Sequence, residues 1–208
     1  MKRMIGVLLA GALAAAIWMV AVPPGGPRSA RIFDPDRVAD LELEMWRAYY
    51  QRQHARLFQL LVTLLHDQLH FSWGRASEAA GYFAKAASRF AELHGGYEAV
   101  LPSLERGYEL EKRWSGAHFD VEKVAKAELA WWAARRDAGT RSRENVGRLI
   151  GEMYAQFYEV PFADVAEAGR LRAEAATVRD RTAKEPDWET ISTLLHRSYR
   201  SLHSACNE

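Results

Sequence analysis

Apolar and polar positions along this chain recur mostly with a helical period. No stretch alternates between the two for long, so the pattern predicts helices and no strands. The pattern breaks at Gly74, at Gly95 and Gly96, and at Gly116, Gly139, Pro161 and Pro186. Those breaks divide the chain after residue 34 into about seven helices, over 35–71, 74–93, 98–115, 120–137, 142–160, 162–183 and 187–204. Asp34 followed by Pro35 has the form of an N-cap with proline at the first helical position. Asp120 and Asp187 are further N-caps by residue type. Short connections imply that neighbouring helices pack antiparallel. The stretch Ala76 to Phe90 is faintly similar to a tetratricopeptide helix, but no 34-residue period follows it, which excludes a solenoid.

The first helix carries an unusually broad apolar face. With Phe58 as origin and 100° per residue, Val62, Leu65 and Leu69 fall within about 40° of it. Leu57, Leu60, Leu61 and Leu64 widen the sector to roughly 200°, more than one-sided packing needs. The second half of this helix is therefore expected at the centre of a bundle, touching helices on two sides. If the helix is continuous, Glu44, Arg47, Gln51 and His54 share the Phe58 direction to within about 40°. The same face then turns from polar to apolar along its length.

Before the bundle, Ile5 to Val22 contains no charge, follows Lys2 and Arg3, and ends at Pro23, Pro24, Gly25, Gly26 and Pro27. As a helix this run rises about 27 Å, close to the roughly 30 Å of a bilayer core. It reads as an uncleaved anchor in the lipid bilayer rather than a cleaved secretory signal. Arg28 and the prolines spoil the cleavage sites beyond Val22, and Trp18 suits the interface. Lys2 and Arg3 favour a cytoplasmic N-terminus, Arg28, Arg31 and Arg37 oppose them, and the export-like start tips the domain outside the cytoplasm. The expected organisation is an anchor over 1–22, a Pro/Gly linker over 23–34 and an all-α bundle over 35–208.

Composition narrows the function classes. The chain has 208 residues, a net charge of +1, 26% charged and 49% hydrophobic residues. That is globular composition without the basic surplus of a nucleic-acid binder. A single cysteine, Cys206, excludes an internal disulfide framework and lies near the C-terminus, where fraying is expected. His66-Asp67-Gln68-Leu69-His70 resembles a zinc helix, with Asp in place of Glu. Both histidines share a polar wedge with Arg52, Arg56 and Thr63, and no third ligand is identifiable, so a surface pair is expected and no metal. No Glu-x-x-His element, nucleophile elbow or phosphate loop is present, and no cofactor is expected. The basic cluster Arg135, Arg136, Arg141, Arg143 and Arg148 reads as solvated loop and helix ends.

One polar arrangement stands out. Glu128 lies in an apolar stripe with Val124, Ala125, Trp131 and Trp132, and Arg135 continues it. A buried glutamate must be paired or protonated. Glu128 is therefore expected to pair with Arg47 or Arg135, near Trp46 and Trp132. The pair is either a structural salt bridge or part of a ligand pocket using Glu44, Arg47, Gln51, His54, Glu128 and Arg135. With no catalytic motif, the leading expectation is an anchored interaction or structural domain of the cell envelope, with a protein partner. The alternative is a ligand carrier or enzyme built on a buried polar pocket. The two differ in whether the bundle encloses a cavity or exposes an apolar patch.

Overall fold

The computed structural model describes residues 17–18, 20–26, 28–182 and 184–207. Among these, eight α-helices form and no strand does: α1 (Pro35–Tyr50), α2 (His54–Leu69), α3 (Trp73–Glu92), α4 (Leu101–Ser115), α5 (Val121–Arg136), α6 (Arg143–Tyr158), α7 (Phe162–Arg181) and α8 (Trp188–Asn207). A short 3-10 turn, Tyr97–Val100, leads into α4. The expected caps form. The Asp34 carboxylate accepts from the N–H groups of Asp36 and Arg37, Asp120 accepts from Lys123, and Asp187 accepts from Thr190. Each satisfies backbone donors that the first helical turn leaves open.

The single helix expected over 35–71 is two. Arg52 adopts φ 58°, the Gln53 N–H donates to the Ala48 carbonyl at 2.8 Å, and the Arg52 N–H donates to the Tyr49 carbonyl at 3.1 Å. This is a Schellman ending with arginine where glycine is usual. With neither glycine nor proline at the turn, helical periodicity runs through it unmarked. The break lets α2 fold back onto α1.

Each helix packs against its neighbours in sequence, and α8 returns to α1. The eight helices thus close a ring. One core cluster joins α1, α6, α7 and α8 around Ile150, Val165, Leu171, Ile191 and Leu195. A second joins α3, α4 and α5 around Phe90, Leu104 and Val124. A third joins α2, α3 and α4 around Leu65, Phe71, Ala76 and Leu110. The crossing of α6 and α7 is the tightest place in the ring. A Cβ on Gly169 would meet the Gly147 carbonyl oxygen and come within 2.6 Å of the Gly151 nitrogen, so glycine is required for this backbone approach.

Two expectations about the chain ends change. Residues 30–34 are not a free linker: Ala30 and Phe33 are buried, and the Asp34 N–H donates to Gln68 Oε1 at 2.8 Å. Arg31 bridges the Glu159 carbonyl, while Asn207 donates to the Arg31 carbonyl. At the other end, α8 does not fray before Cys206. That side chain is buried in the α1–α6–α7–α8 core, and burial pushes its thiol up to about 11, which makes it a poor nucleophile at neutral pH.

Of the anchor expected over 1–22, residues 1–16 and 19 lie outside the described residues. Among the described residues no helix is long and apolar enough to cross a membrane. The Val22 N–H donates to the Trp18 carbonyl, and the side chains of Ile17, Trp18, Val20 and Val22 are exposed.

Candidate functional site

The ring encloses a cavity of about 400 Å³, to which all eight helices contribute. Its walls are mostly apolar. From α2 come Leu57, Phe58, Leu61 and Leu64, which are only half-buried because they face this space. The broad apolar sector of α2 therefore serves two purposes, part packing on neighbours and part lining the cavity. From α3 come Phe83, Ala84, Ala87, Ser88 and Ala91. A second lobe of about 440 Å³ shares Glu42, Met45, Tyr49, Glu128, Trp132 and Arg172 with the first and extends to Trp46, Arg135 and Arg136. Tyr49 and His54, beside the α1–α2 turn, line the first lobe yet are exposed, which marks a mouth there.

Polar groups converge on this apolar chamber. Glu42, 3% exposed on α1, receives Arg172 of α7 through Nε at 2.8 Å and Nη2 at 2.6 Å. The same carboxylate accepts from the Trp46 indole at 3.0 Å and from the Tyr199 hydroxyl. Every strong donor around Glu42 is thus matched, as a buried charge requires. The Arg172 guanidinium also lies 5.0 Å from the Trp131 ring centre.

Glu128 is satisfied differently. Its two oxygens accept from the indoles of Trp131 at 3.0 Å and Trp132 at 2.8 Å. Burial raises its pKa, and the Arg172 charge, both indoles and the Tyr108 hydroxyl work against that rise. Glu111 of α4 is 7% exposed, and its carboxyl has no hydrogen-bond or ion-pair partner among the described residues. Burial, followed by the nearby Glu128 charge, pushes it up to about 8. Tyr154, 4% exposed, carries a hydroxyl that makes no hydrogen bond of acceptable distance and angle among the described residues, and burial pushes it up to about 12 although the neighbouring Tyr199 hydroxyl works against that rise. Orphaned buried polar groups are uncommon in folded proteins. Here two of them line one cavity.

The structure gathers only part of the expected site. Glu128, Trp132 and His54 line the first lobe, while Trp46 and Arg135 line the second. The pairing expected for Glu128 does not form. Arg135 binds Asp180 at 3.1 Å and reaches the Tyr50 hydroxyl, and Arg47 binds Glu44 at 2.7 Å. Glu44 also takes Arg56, Arg47 stands over the Trp188 ring, and Gln51 is an exposed C-cap. These residues miss the cavity because the break at Arg52 removes the shared face that a continuous helix would have given them. Glu42, Arg172 and Glu111 were not anticipated. Each sits in an apolar helical stripe, Glu111 between Tyr108 and Trp114, which is the signal that singled out Glu128.

The zinc-like pair has other occupations. His66 Nδ1 lies 2.7 Å from the Phe71 carbonyl oxygen, and its ring stacks on Trp73. His70 ends α2 in the left-handed region with its ring against Gly26. Among the described residues, no group of three or more His, Cys, Asp or Glu side chains has the arrangement to hold a metal ion. No protein-family model, curated protein or solved structure matches this chain.

Proposed function

We propose that this protein is a ligand-binding helical ring, a carrier or sensor whose central cavity takes an amphiphilic small molecule. The observation that carries this reading is a mostly apolar chamber of about 400 Å³ in which two buried polar groups, on Glu111 and Tyr154, are left without hydrogen-bond partners among the described residues. Small-molecule sites have this composition: apolar walls for the body of the ligand and a few placed polar groups for its head. The interaction or structural role has weaker support. Outside the N-terminal segment, the large exposed apolar side chains among the described residues are Ile32, Tyr49, Trp73 and Phe162, which belong to four different segments of the chain.

The test is to purify the full chain, extract it with organic solvent and identify what is released by mass spectrometry. The parent is expected to yield an amphiphile in near-stoichiometric amount. A variant with Ala84→Phe and Ala87→Phe, which fills the chamber, is expected to yield none while remaining folded. A parent that retains no small molecule and takes up no neutral apolar reporter, such as N-phenyl-1-naphthylamine, would overturn the reading.

The uncharged run Ile5 to Val22 supports a tether to the lipid bilayer, with the ring outside the cytoplasm. The protein is then expected in the membrane fraction after high-salt and carbonate washes. Recovery of soluble protein beginning beyond Val22 would show a cleaved leader instead.

A further inference from the structure

We infer that the head of the ligand is an organic cation, an amine or quaternary ammonium group, seated between Glu111 and Glu128 against the aromatic faces of Tyr108, Trp132 and Phe157. This rests on the ligand-binding reading and specifies its chemistry. The charges facing the chamber do not balance. Arg172 is engaged twice by Glu42, and this pair is neutral as a unit. Arg135, in the outer lobe, is matched by Asp180. Arg136 lies at the rim, over the Phe90 ring, and donates to the Phe90 and Leu93 carbonyls. Among the described residues, that leaves Glu111 and Glu128 without an ion-pair partner, in a space walled by apolar side chains.

The two acids are prepared to different degrees. Glu128 already receives two indole N–H groups, which favour its charged form. Glu111 receives nothing, and the charge on Glu128 opposes its ionisation. A bound cation would stabilise both carboxylates at once, and it would replace the proton that Glu111 otherwise keeps. Nothing else in the chamber does this. An anionic head in the same position would face two acids, and the one lining arginine without a carboxylate partner, Arg136, is turned to the Phe90 and Leu93 carbonyls in the outer lobe.

Aromatic groups complete the site. Tyr108 and Phe157 both line the chamber with ring centres 6.0 Å apart, and Phe119, buried behind them, packs on Phe157 with ring centres 4.9 Å apart. Trp132 is held by its own bond to Glu128 and lines both lobes. Faces of Trp, Tyr and Phe attract desolvated cations, and quaternary ammonium groups most readily because they carry no N–H to satisfy. Beyond this head site, Leu57, Phe58, Leu61 and Leu64 wall a path toward the mouth at Tyr49 and His54, which suits an alkyl or isoprenoid body.

The experiment is a titration of the full chain in nanodiscs of neutral lipid, read by tryptophan emission at measured free ligand concentrations. Four probes are compared: decyltrimethylammonium, decan-1-ol, decanoate and tetramethylammonium. The first three share a chain and differ in the head, and the last is the head alone. Decyltrimethylammonium is expected to bind at least about tenfold more tightly than decan-1-ol, with decanoate weakest. In Glu111→Gln with Glu128→Gln, that preference is expected to vanish. Equal or tighter binding of decan-1-ol by the parent overturns the cationic head and leaves the ligand-binding reading standing. That result needs no variant, so a poorly folding double variant does not protect the inference. A preference that survives in a folded double variant overturns the assignment to these two acids. Saturable binding of none of the probes, by protein whose solvent extract holds no co-purified molecule, overturns both readings. Tetramethylammonium binding as tightly as decyltrimethylammonium would support the head site and overturn the apolar body, indicating a soluble cation rather than a lipid-like one.

Discussion

The two sides of the ring use small residues to opposite ends. Where α6 crosses α7, Gly147, Gly151 and Gly169 bring backbone against backbone, and Ala168, Ala173 and Ala175 are fully buried beside them. On α3, Ala84, Ala87 and Ala91 are equally small, yet they border the chamber instead of a neighbouring backbone. Residue size therefore does not decide between close packing and open space. The element standing opposite does. At the α6–α7 crossing a second glycine-containing helix closes in, whereas the inner face of α3 looks across the ring, where no helix crosses.

Polar groups divide the same way. On the tight side, Ser198 donates to the Ala168 carbonyl at 2.8 Å, joining α7 to α8. The charged pair Glu42–Arg172 closes α1 onto α7 with its strong donors matched. Glu111 of α4 and the Tyr154 hydroxyl of α6 instead face the chamber without hydrogen-bond partners among the described residues. A folded domain tolerates few such groups, because each loses its bonds to water and gains none in return. Glu111 and Tyr154 border one chamber, as a site awaiting a ligand requires, while the other unpartnered buried atoms among the described residues, Trp114 Nε1 and Arg179 Nε, do not line it.

Substitutions test this contrast, beginning with the largest effect. Arg172→Ala leaves Glu42 charged and buried, and is expected to cost about 3–5 kcal/mol in urea unfolding. An effect below about 0.5 kcal/mol would mean that water reaches Glu42, and that the chamber floor is not dry.

The pH dependence of Glu111 comes next. Its folded-state pKa of about 8 lies above the unfolded value of 4.5, so the folded state holds the proton longer. Stability is therefore expected to fall as pH rises from about 4.5 to about 8, by on the order of 5 kcal/mol, and to level off above that. Glu128, also raised, adds to the fall. Chemical unfolding at several pH values should show the decline flattened in Glu111→Gln. An unchanged slope in that variant would place the buried proton elsewhere.

Gly169→Ala forces a methyl into the Gly147 and Gly151 backbone and is expected to cost about 2–3 kcal/mol. The mirror-image change on the open side, Ala87→Leu, adds volume where there is room. It is expected to range from neutral to about 1 kcal/mol stabilising while displacing the ligand. Equal penalties in thermal melts of these two variants would erase the distinction between the sides.

Much of the fold was legible in the residues. Asp34, Asp120 and Asp187 announced helix starts, and glycines and prolines announced most of the ends. Each of these signals acts within one turn of the chain, so no distant contact was needed to read it. The missed break at Arg52 shows the limit. Its Schellman bonds are local, but arginine at the left-handed position gives no sign in the sequence. From that one omission followed the misplacement of Glu44, Arg47 and Gln51, because a wheel drawn through a break assigns faces that do not exist. Glu128 was read correctly as an acid in an apolar stripe, and the same criterion applied to every helix would have returned Glu42, Glu111 and Arg172. Its partners were not legible as such, since two indoles from its own helix compete with distant arginines for the same carboxylate.

By itself the sequence determined that the bundle is helical and where most helices begin and end. Those properties follow from caps, backbone breakers and a 3.6-residue period, all short-range. Only the tertiary structure decided that the eight helices close into a ring, that the surplus apolar face of α2 walls a chamber, and that Glu111 and Glu128 share it. Helices packed by their apolar stripes can fill a core or surround a space with the same residues. The difference lies in how many helices pass before the chain returns to its start, which is fixed when α8 packs back onto α1.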